Sequence, residues 1–259
     1  MSQTWQAETD QNELKRLALQ LLDTDIKCTK FSPLVVSHPF TDSGIVGIRD
    51  ENGGMKVANL LDDPQATEEW RKQVGQQVEE AQTPLRLLVM VTKPYRLGYL
   101  KYAVPFLSEQ DAASLLTWAW TSSGAPNSDP NLSKAEMLGL FRSIDAQKLM
   151  DEEEYRRFQG LDDVLTVYRG VTPHNAKAVR ALSWTLDQRT AEWFAHRYGE
   201  HGTVYQAQIK KDHACALFLR RNESEVIVDP KHLMGLSTLE VTMNTEENQD
   251  LNMTMGGIT

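Results

Sequence analysis

The sequence predicts an α+β protein: a small N-terminal α/β unit, then helices, then a strand-rich C-terminal block. Three observations carry that reading. Residues 13–61 pass from one amphipathic helix to a hairpin signature, and residues 108–159 read as successive helices. Beyond residue 164 most apolar runs are short and bounded by turn residues, as strands are. The expected boundaries are an accessory domain over 1–106, a catalytic domain over 107–240 and a disordered tail over 241–259.

Taken in order, residues 13–22 place Leu14, Leu17, Ala18, Leu21 and Leu22 at helical spacing. Ile45, Val46 and Ile48 precede the turn residues Asp50, Glu51, Asn52, Gly53 and Gly54, and Met55, Lys56 and Val57 follow, which predicts a β-hairpin. Residues 66–82 form a charged helix. Residues 85–91 are apolar nearly throughout and read as a buried strand. A helix over 112–119 carries Trp118, with Trp120 just beyond it, and the Pro- and Gly-containing stretch 123–131 is a loop. Ser133 and Glu136 form a capping-box pattern that opens a helix with Met137, Leu138, Leu140, Phe141 and Ile144. A short helix is expected over 151–159 and another over 190–198. Strands are expected over 164–167, 203–209, 214–219 and 226–228. The tail is polar, carries Gly256 and Gly257, and lacks Lys and Arg beyond residue 242.

Composition bounds the function. The 259 residues carry 27 Lys plus Arg against 36 Asp plus Glu, a net charge of -9, which argues against a generic basic nucleic-acid coat. Residues 161–235 are nearly neutral at net +1, with ten basic and nine acidic groups, so the acidity lies elsewhere in the chain. Such a block suits a small anionic ligand better than a long polyanion. The two cysteines, Cys28 and Cys215, exclude a disulfide scaffold, and no clustered Cys/His spacing suggests a metal. No apolar run approaches the ~18 residues of a membrane helix, and the N-terminus lacks the order of a signal peptide. A cytoplasmic protein without membrane partners is expected.

Three segments of the C-terminal block carry chemistry. In Tyr168-Arg169-Gly170 an Arg ends an apolar strand, where its planar fork suits a phosphate and a Gly lets the backbone come close. On its own this is better explained as a strand-end salt bridge. In Ser183-Trp184-Thr185 alternation puts both hydroxyls on one strand face and Trp184 on the other, although Ser and Thr at a strand end also serve as caps. Glu223 and Glu225, two residues apart at a strand start, project the same way, either into a cavity or into solvent. His196 and His201 read as surface residues near a helix end. His213 and Cys215 lack a third group to orient a nucleophile pair. Trp118 and Trp120 read as core or interface residues, and Trp193 and Phe194 as core.

The order of the three segments resembles the Arg-Ser-Glu class of mono-ADP-ribosyltransferases. The Ala-x-x-Phe-Ala helix after Ser-x-Thr, the Gly202-x-Val204-Tyr205 strand and the Glu-Val-Ile-Val run from Glu225 agree with it, over about residues 164–230. The departure is Trp184, where a smaller residue is commoner. The resemblance implies a mixed-sheet transferase fold preceded by helices, with NAD consumed as substrate and no metal. It implies that Arg169 contacts the NAD phosphates and that Gly170 binds nicotinamide through its backbone, with Tyr168 part of the same unit. Ser183 would brace the catalytic Glu and help hold the nicotinamide ribose, Thr185 would support the strand, Glu225 would be the essential carboxylate, and Glu223 would help select and activate the acceptor. Cleavage of the nicotinamide–ribose bond builds positive charge on the sugar, which a fixed carboxylate stabilises. A Gly-x-Gly-x-x-Gly fingerprint is absent, so a Rossmann dehydrogenase is not expected.

The acceptor is expected to be an arginine on a protein, with an RNA or DNA base close behind, approached through a groove of Arg180, Arg189, Lys210, Lys211, Arg220 and Arg221. The biological setting this suggests is an intracellular toxin of a toxin–antitoxin or phage-defence system, with an antitoxin partner, or a phage protein acting on its host. Two rival readings remain: an inactive transferase fold used as a binding module, and an NAD glycohydrolase.

Overall fold

The structure is a computed structural model, and it describes residues 4–50, 52–199 and 201–239. The expected tail, 241–259, lies outside the described residues. Two compact units divide between Leu132 and Ser133. The chain combines helices with antiparallel sheets, as expected for α+β, and no helix among the described residues is long and apolar enough to cross a membrane.

The first unit opens with α1 (Gln11–Leu22), started by the Asp10 carboxylate on the amides of Asn12 and Glu13 and burying Leu14, Ala18 and Leu22. Short strands β1 (Lys27–Cys28), β2 (Val35–His38) and β3 (Thr41–Ser43) form one sheet. The expected hairpin is β4 (Ile45–Arg49) and β5 (Met55–Asn59), with Gly53 supplying the positive φ of its turn. The charged helix is α2 (Pro64–Glu80), capped by Asp63 with Pro64 in its first turn.

The segment expected as a buried strand over 85–91 is instead a helix, α3 (Pro84–Met90). Thr83 caps it through the Arg86 amide, Pro84 sits in the first turn, and Pro84, Leu87, Leu88 and Val91 are buried at helical spacing. A continuous apolar run does not by itself distinguish the two, whereas the Thr-Pro start does. Helices α4 (Arg96–Ala103) and α5 (Glu109–Ser122) follow. Helix α5 packs on α3 and α4, so the first unit extends past residue 106, where a boundary was expected. Trp120 lies inside α5 and is fully buried, while Trp118 carries the Arg96 guanidinium on its ring face, 4.4 Å from the centroid.

His38 joins these parts. It is fully buried, accepts the Phe40 amide at Nδ1 (3.1 Å), and therefore donates from Nε2 to the Leu22 carbonyl (3.2 Å). Its ring meets Trp70 edge-on at 5.3 Å beside the cluster of Leu22, Ile48, Ala58, Leu60 and Ala66.

The second unit begins with α6 (Lys134–Ser143), α7 (Ala146–Leu149) and α8 (Glu152–Gln159); α6 and α8 start in capping boxes, Ser133 with Glu136 and Asp151 with Glu154. Strands β6 (Val164–Val171), β7 (Ser183–Thr185), β8 (Thr203–Lys210), β9 (Ala214–Phe218), β10 (Glu225–Val228) and β11 (Met234–Leu239) form an antiparallel sheet in the order β11-β8-β6-β7-β10-β9. Strand β11 was not foreseen: it is a largely exposed edge strand without apolar alternation. Helices α6, α7 and α8 pack on β9, with Phe141 against Phe218 at 6.4 Å. Helix α9 (Gln188–His196) lies on β6 and β8 through Ala191, Ala195 and Val204.

Two glycines permit that contact. A Cβ on Gly170 would stand 2.0 Å from the Ala191 carbonyl oxygen, and one on Gly202 2.2 Å from that of Ala195. Gly202→Ala is therefore expected to lower Tm by an overpacking cost of roughly 1–3 kcal/mol, measured by thermal unfolding. His38 gives a second expectation. Burial holds its pKa below the ordinary value, so neutral His38 stabilises the fold above pH ~6.5 and that contribution is lost as pH falls toward the folded pKa. Thermal unfolding from pH 7.5 to 5 should show an acid loss in the native protein that is absent in His38→Asn; parallel curves would contradict it.

Candidate functional site

The site lies where β6 and β7 part. The Lys211 amide donates to the Asp163 carbonyl (2.9 Å), fixing the phase of the β6–β8 ladder. Odd-numbered residues of β6, Arg169 among them, exchange backbone bonds with β8, and even-numbered ones, Tyr168 and Gly170, turn theirs toward β7. On the far side, Leu186 N–H to Ser224 O (3.1 Å) and Val228 N–H to Leu182 O (2.8 Å) fix the β7–β10 ladder. That phase turns the backbone groups of Ser183 and Thr185 toward β6. Tyr168 and Thr185 meet as a ladder pair. Gly170 and Ser183 would be the next pair in register, yet the ladder stops before them among the described residues.

Arg169 enters that gap. Its Nη1 donates to the Ser183 carbonyl (2.6 Å) and its Nε to that of Ala178 (3.3 Å). Burial pulls the guanidinium pKa down to about 10; the Glu225 charge opposes the fall and Arg197 adds to it, and Arg169 stays protonated at neutral pH. The Ser183 hydroxyl donates to Glu225 Oε1. Three residues spread over more than fifty positions are thus joined in one chain, guanidinium to carbonyl and hydroxyl to carboxylate.

Thr185 works on the neighbouring turn. Its hydroxyl donates to the Glu223 carbonyl (2.6 Å) and accepts the Asp187 amide (3.1 Å), whose carboxylate in turn caps α9. Trp184 faces the other way, fully buried, with Nε1 donating to the Ala181 carbonyl (3.0 Å). A large residue between the two hydroxyls therefore leaves both in place.

Glu223 departs from expectation. The strand begins at Glu225, and Glu223 stands in a turn after Arg220–Asn222, so strand alternation does not set its direction. Arg221 (φ 60°), Asn222 (φ 57°) and Ser224 (φ 42°) all occupy the left-handed region, a cluster of non-glycine strain. Glu223 is half-buried, and burial together with the Glu225 charge pushes its pKa up to about 7, while Arg221 and Arg197 pull it down. At neutral pH it is divided between acid and carboxylate.

Other expected residues fall differently. Gly170 is required by α9, which fills the space of its Cβ, although its N–H and C=O do face the gap. The Tyr168 side chain packs against Ala191, Ala195 and Val204. Three of the six residues of the expected basic groove are tied to the fold. Arg180 donates to the Pro230 carbonyl (2.7 Å), Lys211 donates to those of Gln159 (2.6 Å) and Leu161 (3.2 Å), and Arg220 stands 3.9 Å from buried Glu154. His213 stacks on His232 at 3.6 Å, and burial pushes the Cys215 thiol up to about 11, far from a thiolate. Among the described residues no group of three or more His, Cys, Asp or Glu could hold a metal.

Arg197 was missed. It stands past the end of α9, its guanidinium 5.3 Å from the centroid of the Phe194 ring, and its charge acts on both Arg169 and Glu223. A lone Arg after a helix carries no sequence signal; only the fold brings it to the gap.

No family model matches the chain, and no curated protein or solved structure is significantly similar to it. The geometry itself yields an expectation independent of activity. The raised Glu223 pKa means that ionising it costs native stability as pH rises from about 4.5 through 7. Glu223→Gln should therefore raise stability on the order of 1 kcal/mol at pH 8, after screening, and leave it unchanged at pH 4.5. Thermal unfolding at the two pH values checks this; equal effects at both would contradict it.

Proposed function

We propose that this chain is a mono-ADP-ribosyltransferase that cleaves NAD at the nicotinamide–ribose bond, with the ADP-ribosyltransferase arrangement of its second unit. One observation carries the reading: Arg169, Ser183 and Glu225 converge on the gap between β6 and β7 through direct hydrogen bonds.

On this reading the gap receives the nicotinamide. Its carboxamide offers one donor and one acceptor edge, which match the N–H and C=O that Gly170 turns toward β7. Arg169 spends two donors on carbonyls, so its role shifts from phosphate ligand toward holding Ser183 and the mouth of the gap. The pyrophosphate then falls to Arg197, whose guanidinium is stacked and oriented by Phe194. Glu225, aligned by the Ser183 hydroxyl, bonds a ribose hydroxyl and stabilises the oxocarbenium-like sugar more than the ground state. Nicotinamide leaves with the bonding electron pair. The acceptor attacks C1′ and gives its proton to Glu223, whose pKa near 7 suits a general base at neutral pH.

Purified protein incubated with NAD should release nicotinamide, and Glu225→Gln should slow that release by roughly 10²–10³, the usual cost of losing one preorganised group. Equal release by both, or none by the native chain, would refute the reading. Arg197→Ala should raise KM for NAD about tenfold with a smaller change in kcat, as expected when binding shared by ground and transition states is removed. Steady-state kinetics separates the two.

A further inference from the structure

The first unit carries a groove of about 870 Å³, a size within the range of small-molecule sites. Leu19 and Leu22 of α1, with Leu60 and Leu61 ahead of α2, give it apolar sides. One stripe of α2, from Pro64 through Arg71 to Gly75, runs along it for three turns, roughly 17 Å. The Thr67 hydroxyl donates to the Leu60 carbonyl (3.0 Å), and the Leu60 amide to that of Gly44 (2.8 Å), so these sides are held to the helix and to the sheet region before it.

Two features of the stripe are not explained by packing. Arg71 is half-buried, and its Nη2 donates to the Thr24 carbonyl (2.8 Å). Its Nε is shut off from solvent without a partner, and among the described residues no carboxylate stands within ion-pair distance of it. Asp23, Glu68 and Lys72 also line the groove, but all three are exposed to water. A charged group withdrawn from water ordinarily has a counter-charge and a full set of hydrogen bonds, and Arg71 has one bond. The second feature is Gly75, inside α2, where glycine weakens a helix. A Cβ there would meet Leu19 and Leu22 at 3.6 and 3.8 Å, ordinary contact distances, so packing does not require its absence. The glycine leaves that part of the groove open.

We propose that this groove binds a free amphiphilic monocarboxylate, with an acyl chain along the leucines and the carboxylate on Arg71. A carboxylate offers the two acceptor oxygens that fit a guanidinium's planar fork. One guanidinium, with Asp23 and Glu68 on the same groove, balances a single negative charge and disfavours a dianion such as a phosphate monoester. An extended peptide finds little backbone pairing here, because the amides of Leu60 and Leu61 are already bonded to the Gly44 carbonyl and the Asn59 side chain. The site is built from the first unit alone and does not rest on the transferase reading.

Isothermal titration calorimetry of the full chain with dodecanoate, kept below its micellar concentration, tests this. Dodecyltrimethylammonium carries the same chain with the opposite charge. One dodecanoate per chain is expected, bound at least tenfold more tightly than the cation. Arg71→Met should weaken dodecanoate binding at least tenfold, as loss of a charged hydrogen-bond partner does, whereas exposed Lys72→Met should change it by less than about twofold. Gly75→Leu fills the space beside Leu19 and Leu22 and favours the helix, so it should weaken binding about tenfold while Tm is kept or raised. Absence of dodecanoate binding, equal binding of the cation, or undiminished binding in either Arg71→Met or Gly75→Leu overturns the proposal. The titration contains no NAD, so its outcome is independent of the transferase reading.

Discussion

The bond from the Ser183 hydroxyl to the Glu225 carboxylate is the contact on which the site depends. It ties the start of β10 to β7, and it is held from the other side by Arg169 on the Ser183 carbonyl. The arrangement places a guanidinium and a carboxylate in one half-buried gap, where each lowers the cost of burying the other. One serine thus holds both groups, the guanidinium through its carbonyl and the carboxylate through its hydroxyl.

The gap itself follows from packing around it. Helix α9 lies so close to β6 and β8 that Gly170 and Gly202 are required beneath it, and its N-terminal cap, Asp187, is bonded to the Thr185 hydroxyl. That same hydroxyl holds the Glu223 turn. One threonine thus couples the helix that brings Arg197 to the gap with the turn that brings Glu223.

Much of the fold was legible because its signals are local. Capping residues announced α6, the Asp–Gly-rich turn announced the β4–β5 hairpin, and apolar runs announced most of the central sheet. The failures also have physical causes. The apolar run beginning at Leu85 gave no period, and only Thr83 and Pro84 marked it as a helix. Strand β11 is an exposed edge, held by pairing with β8 rather than by burial. At the site, the convergence of Arg169, Ser183 and Glu225 was legible from their order, since each sits in or beside a strand of one sheet. The position of Glu223 was not, because three left-handed residues replace the strand on which alternation depends. Arg197 was invisible for a different reason: its partners, Arg169 and Glu223, are distant in sequence and only tertiary structure assembles them.

The central claim is spatial, that a dinucleotide lies in the gap between β6 and β7, and a structure of the Glu225→Gln protein bound to NAD tests it most directly. The account predicts the carboxamide on the backbone of Gly170, the ribose hydroxyls beside residue 225 and the pyrophosphate on Arg197. NAD bound elsewhere, for instance in the groove of the first unit lined by Leu19, Leu60 and Arg71, or density in which Gly170 and Ser183 have closed into an ordinary ladder pair, would contradict it.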